Sequence, residues 1–155
     1  MKKFAPALTL KIKRLKPGAT IPTYATSGAA CFDLHVCGPG EAPCEMGGRI
    51  QSVTFSTGLA FEVPDGHVML IFSRSGHGFK HGVRLANCVG VIDSDYRGEV
   101  SVRLSVDNEQ SELKVSHGDR IAQAMVLPVQ QVTFREVDEL SSTARGTGGF
   151  GSTGK

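Results

Sequence analysis

The sequence predicts an all-β fold of many short strands, a sandwich, jelly roll or barrel, and three observations point that way. Glycine supplies 19 of 155 residues, about 12% against a usual share of roughly 7%, and seven prolines join it. No segment keeps a helical apolar period beyond two turns. Short alternating or apolar runs recur at close spacing, each closed by residues that favour turns.

Taken in order, Leu8, Leu10 and Ile12 alternate with Thr9, Lys11 and Lys13, the period of a half-buried strand, and Pro17-Gly18 stops it. Val53 to Phe55 and Leu59 to Val63 read as two short strands ended by the turn Pro64-Asp65-Gly66. Val68 to Phe72 is continuously apolar, as in a strand buried on both faces. Val89 to Ile92 and Glu99 to Val106 flank Asp93 to Gly98, which reads as a hairpin with Asp93 partly shielded at its mouth and Asp95 exposed in its turn. Leu113 to Val115, Ile121 to Val126 and Val129 to Val137 complete the strands. Ser75 to Lys80 is the best short helix, weakened by two glycines. After Leu140 the chain is rich in Gly, Ser and Thr, with Phe150 its one large apolar residue. Such a segment buries too little to offset its ordering entropy and is expected to be mobile alone.

A formal charge of +2 argues against a duplex nucleic-acid partner, which needs a basic surface to release counterions. No apolar run reaches the roughly 18 residues of a membrane span. Lys11, Lys13 and Arg14 interrupt any apolar stretch behind the basic start Met1-Lys2-Lys3, which argues against secretion. Cys31, Cys37, Cys44 and Cys88 form no C-x-x-C pair and no zinc spacing, so reduced thiols in the cytoplasm are expected.

Two nucleotide patterns in the tail lack their context. Gly146 to Gly151 fits G-x-G-x-x-G and Gly149 to Lys155 fits G-x-x-x-x-G-K, but both need a preceding strand and a following helix, and with the sequence given ending at Lys155 no helix is expected to follow. Locally, glycine N–H groups can still wrap phosphate oxygens, and Arg145 adds a guanidinium fork. Arg74-Ser75-Gly76 could grip phosphate or be a solvated surface turn. Asp93 could orient and deprotonate a water, with Tyr96 facing the same cavity, or could close an Asx-turn. Gly118 to Gln123 reads as a salt-bridged turn feeding a strand. His77 and His81, set among glycines without a glutamate, read as ordinary polar residues.

Together these stretches resemble the trimeric dUTPases. Five motifs occur in family order: Ser27 to Leu34, Arg74 to Gly76, Gly90 to Glu99, Gly118 to Gln123 and Arg145 to Gly154. The resemblance implies a distorted jelly-roll β-barrel over residues 1–140, a flexible arm over 141–155, and a cytoplasmic homotrimer of bacterial or phage type whose sites draw on all three chains. It implies hydrolysis of dUTP to dUMP and pyrophosphate, limiting uracil in DNA and supplying dUMP for dTMP synthesis. Asp93 would hold the water that attacks the α-phosphorus. Mg2+ would ride mainly on the triphosphate, with Asp33 near it through a water. Arg74, Ser75, Gly76 and Gln123 would hold phosphate oxygens. Asn87, Val91, Ile92 and Ser101 would read the uracil edge, and Tyr96 would lie under the deoxyribose. Arg145 would meet the γ-phosphate while Phe150 stacks on the base.

Cys31, Ser73 and His77 stand where the family usually has glycine, proline and leucine. A dCTP deaminase of the same superfamily is a weaker match, because Arg103 stands where its catalytic glutamate belongs. A dUTPase-like protein-binding module is the other alternative, although it would not require Asp93, Arg145 and Phe150.

Overall fold

A computed structural model describes residues 8–46, 49–107 and 113–152. Among the described residues, nine strands form two antiparallel sheets, accompanied by one short helix. The strands are β1 (Lys11–Arg14), β2 (Phe32–His35), β3 (Glu41–Met46), β4 (Arg49–Glu62), β5 (His67–Phe72), β6 (Val83–Leu85), β7 (Val89–Ile92), β8 (Glu99–Val106) and β9 (Arg120–Pro128), and the helix is α1 (Ser75–His81). One sheet runs β1-β4-β8-β6, with β3 also on β4; the other runs β2-β9-β5-β7. Their inner faces enclose Leu34, Leu59, Phe61, Met69, Leu85, Leu104 and Ile121, all fully buried. This apolar layer, removed from water, is the main stabilising element of the fold.

The all-β expectation holds. Val53 to Phe55 and Leu59 to Val63, however, belong almost entirely to one long strand, β4, which shifts register between Ser56 and Ala60. Gly58 sits in that irregularity at φ +68, and a Cβ there would come within 2.8 Å of the Ala19 side chain. Only glycine fits both the backbone and the space.

Several expectations are corrected. The run Val68 to Phe72 is not buried on both faces: Met69 and Ile71 point into the core, while Val68, Leu70 and Phe72 are half-buried. β7 and β8 do not form a hairpin. β7 pairs with β5 in one sheet and β8 pairs with β4 and β6 in the other, so Asp93 to Gly98 crosses between sheets. The first strand begins at Lys11, past Leu8 and Leu10. Leu113 to Val115 is not a strand.

Val129 to Val137 is not a strand either. Pro128 ends β9, and the segment leaves the sheet after one hydrogen bond from Val129 N–H to the Gly66 carbonyl at 2.8 Å. Among the described residues no strand receives it, and Val132, Phe134 and Val137 are exposed. The basic start Met1-Lys2-Lys3 and the fifth motif beyond Ser152 lie outside the described residues.

Candidate active site

The ladder of the second sheet assembles one polar cluster. Asp33 on β2 lies opposite Gln123 on β9, and Gln123 lies opposite Phe72 at the end of β5, two residues before Arg74. Arg74 Nε donates to Asp33 Oδ1 at 2.9 Å, and a terminal guanidinium nitrogen of Arg120 donates to Asp33 Oδ2 at 3.1 Å. The Asp33 side chain is 14% exposed, so this doubly clamped carboxylate is well shielded. Gln123 Nε2 donates to the Ser73 carbonyl at 3.0 Å, tying β9 to the turn that carries Arg74, Ser75 and Gly76. Ser75 and Gly76 are exposed beside it. Asp33, Arg74, Ser75, Gly76 and Gln123 are therefore neighbours, with one carboxylate facing two guanidinium groups and positive charge left over for an anion.

His35 follows Asp33 on the same strand. Its Nδ1 is buried without a hydrogen-bond partner. Burial pushes the ring below its ordinary pKa; Asp33 opposes this, and Arg120 and Arg74 add to it.

A second locus opens where β7 and β8 part into different sheets. A cavity of about 390 Å³ lies there, lined by residues that include Ile71, Asn87, Gly90, Ser101 and Arg103. Its volume is at the low end for small-molecule pockets, roughly 300–1,000 Å³. β7 is an edge strand, so the backbone groups of Val89 to Ile92 that point away from β5 have no ladder partner. Asn87 and Ser101 thus share a cavity with Gly90 of β7, while Val91 and Ile92, next on the same strand, do not line it. Ile92 also packs on the core, and the Val91 side chain is exposed.

Asp93 follows Ile92 and is exposed, as is Asp95. The expected shielding of Asp93 alone is corrected: a connection between sheets has no facing strand to cover it. Tyr96 N–H donates to the Asp93 carbonyl at 3.3 Å, and the Tyr96 hydroxyl donates to the Glu99 carbonyl at 3.0 Å, which folds the ring back over Gly98. The Glu99 carboxylate accepts from Ser56 Oγ and from Gly58 N–H and pairs with Lys16. Burial raises its pKa, but these partners outweigh that and hold it below its ordinary value of 4.5.

The clusters stand apart. Val89 pairs with Phe72 and Ile92 with Met69, so Asp93 lies beyond the end of β7 remote from Gln123 and Arg74. Four residues of strand rise make that separation about 13 Å along the strand. Arg145 and Phe150 are farther removed in role: Arg145 Nε donates to the Gly148 carbonyl at 2.8 Å within the tail, and Phe150 is fully exposed at φ +47. Two residues escaped the sequence reading. Arg120 was visible only as part of a turn, and its hold on Asp33 depends on a pairing across 87 positions. His77 Nε2 lies 2.8 Å from the Arg120 carbonyl, which the glycines around it did not announce.

The chain matches the dUTPase family over residues 18–154. The deoxyuridine 5'-triphosphate nucleotidohydrolase of Nautilia profundicola is 46% identical over 153 residues, covering 96% of this chain and all of that protein. The protein of the same name from Sinorhizobium medicae is 45% identical over 149 residues, covering 96% of this chain and 92% of its own length. Among solved structures, a mutant dUTPase of Staphylococcus bacteriophage 80alpha with dUpNHpp superposes with a TM-score of 0.80 at 24% identity, covering 96% of this chain and all of that one, a likeness of fold.

Proposed function

This chain belongs to the dUTPase family, and from that membership we propose that it hydrolyses dUTP to dUMP and pyrophosphate through a water held by Asp93. One observation carries the proposal furthest: the cluster of Asp33, Arg74, Ser75, Gly76 and Gln123 on one sheet. Phosphoryl substitution needs positioning and charge neutralisation more than covalent chemistry, and this cluster offers both.

Arg74, Ser75, Gly76 and Gln123 take phosphate oxygens, with Asp33 and Arg120 holding the Arg74 guanidinium in place. Asn87, Ser101 and the free edge of β7 at Val91 and Ile92 read the uracil, whose N3–H and carbonyls match backbone acceptors and donors. Tyr96 lies against the sugar. Asp93 orients and deprotonates the attacking water. The separation of about 13 Å along β7 supports a site in which Asp93 and the phosphate grip come from different chains. A homotrimer provides this, with Asp93 of one protomer meeting Arg74 of another at each subunit contact. The exposed apolar side chains Val132, Phe134 and Val137, left without a strand partner, supply surface for such contacts. The arm that starts at Ser141 then brings Arg145 to the γ-phosphate and Phe150 onto the base, excluding water.

Among the described residues no three His, Cys, Asp or Glu side chains form a metal cluster. Both Asp33 oxygens accept from guanidinium groups, yet each keeps a lone pair for a water. That donor set fits a Mg2+ ion carried by the triphosphate, with Asp33 reaching it through water. The ion would neutralise triphosphate charge. The four cysteines are free thiols, in keeping with action in the cytoplasm.

The test is pyrophosphate release from dUTP with Mg2+, against dTTP, dCTP and UTP. Turnover confined to dUTP supports the assignment. Equal turnover of all four, or ammonia release from dCTP, contradicts it.

A further inference from the structure

α1 carries Ser75 and Gly76 in its first turn, yet little holds it. It spans seven residues, buries none of them and includes two glycines; Gly82 caps its C-terminus, but its N-cap residue Arg74 makes no side-chain capping bond. Glycine lowers helix stability by roughly 1 kcal/mol against alanine, so a segment of this kind does not order itself. Among the described residues, His77 is the one α1 side chain that hydrogen-bonds outside the helix. Its Nε2 lies 2.8 Å from the Arg120 carbonyl, the same oxygen that a terminal nitrogen of Arg74 approaches at 3.5 Å. A carbonyl only accepts, so Nε2 carries the proton and donates.

We propose that His77 is a positioning residue for the phosphate grip, pinning α1 to the start of β9 through the Arg120 carbonyl. This role rests on the function proposed above. Through this bond, one backbone oxygen on the strand that supplies Gln123 sets the place of Ser75 and Gly76. The Arg120 side chain meanwhile holds Asp33, and Asp33 holds Arg74. The ring touches no reacting atom. It limits how far Ser75 and Gly76 wander from the phosphate oxygens, so its loss weakens triphosphate binding and leaves base reading untouched.

The experiment compares wild type with His77→Leu and His77→Gln. Leucine fills the space without a donor, while the glutamine amide can donate to the same carbonyl. In His77→Leu the KM for dUTP and the Kd for dUpNHpp are expected to rise about three- to tenfold, the worth of one net hydrogen bond. The inhibition constant of deoxyuridine, which has no phosphate, stays at the wild-type value. Hydrogen exchange at the α1 amides speeds up in His77→Leu. His77→Gln restores both readouts at least in part. The inference is overturned if His77→Leu keeps wild-type affinity and exchange, if dUpNHpp and deoxyuridine weaken by the same factor, or if glutamine rescues nothing. A wild type that releases no pyrophosphate sinks the proposed reaction; an active wild type indistinguishable from His77→Leu sinks the role of His77 alone.

Discussion

Replacing Asp33 by asparagine tests whether this carboxylate organises the phosphate grip. The substitution keeps shape and removes charge. The carboxylate accepts from Arg74 at 2.9 Å and from Arg120 at 3.1 Å, with side-chain exposures of 14% for Asp33, 24% for Arg74 and 50% for Arg120. An asparagine has one acceptor oxygen, so it can keep the Arg74 bond while its NH2 faces Arg120. Hydrogen bonds to charged groups are worth about 1.5–3 kcal/mol, and the exposure of Arg120 brings its share down to about 1 kcal/mol. Loss of charge weakens the surviving Arg74 bond by a similar amount, for a total near 2 kcal/mol. For a chain of this size that lowers Tm by roughly 4–8 °C. Residue 33 loses its hold on Arg120 and grips Arg74 less firmly, and a shift of about an ångström in a substrate-positioning group lowers kcat/KM by roughly ten- to a hundredfold. Thermal unfolding at fixed protein concentration and steady-state dUTP kinetics read both effects. A Tm within about 1 °C of wild type together with unchanged kcat/KM would refute the clamp.

Asp93→Asn should still bind dUpNHpp while turnover falls by about two to four orders of magnitude, because a fixed base is lost and the shape is kept; turnover near wild type removes Asp93 from the chemistry. Truncation after Leu140 should leave Tm nearly unchanged, since no residue of 141–152 is buried, and should abolish most activity; unfolding on truncation would show that the arm belongs to the core. For His35 the folded pKa lies below the unfolded one, so the folded state binds fewer protons, and its contribution to stability is present above about pH 6.5 and is lost as pH falls through the lowered folded value. Replacing His35 by glutamine should flatten that part of the stability profile. An unaltered profile between pH 7 and 5, measured by urea unfolding, would contradict the assignment.

Strands were legible where side chains announce burial. The apolar residues of β5, β7, β8 and β9 stand out, and each of those strands lies close to its expected place. β2, β3 and β6 were missed for physical reasons. β6 has three residues, β2 has four and too short an alternation to stand out, and β3 contains Pro43, which an edge position tolerates. The false hairpin at Asp93 to Gly98 shows a limit of local patterning. Two β-runs with a turn between them look the same whether they pair or enter opposite sheets. Val129 to Val137 has strand composition but no strand partner among the described residues. In the candidate site, Asp33, Arg74 and Gln123 could be named from motif residues, but their contact depends on ladder register across the sheet. The Arg120 clamp and the His77 pin rest on the same register and on a backbone oxygen, which side-chain identity does not reveal.

The central claim is that Asp93 and Arg74 of one site come from different protomers, and subunit mixing measures it most directly. Asp93→Asn and Arg74→Ala are each expected to be nearly inactive. Co-refolded in equal amounts, they should recover about one quarter of wild-type dUTP hydrolysis, the share of sites in random trimers that pair an intact Asp93 with an intact Arg74. Activity that stays at the level of the two parents would contradict a shared site.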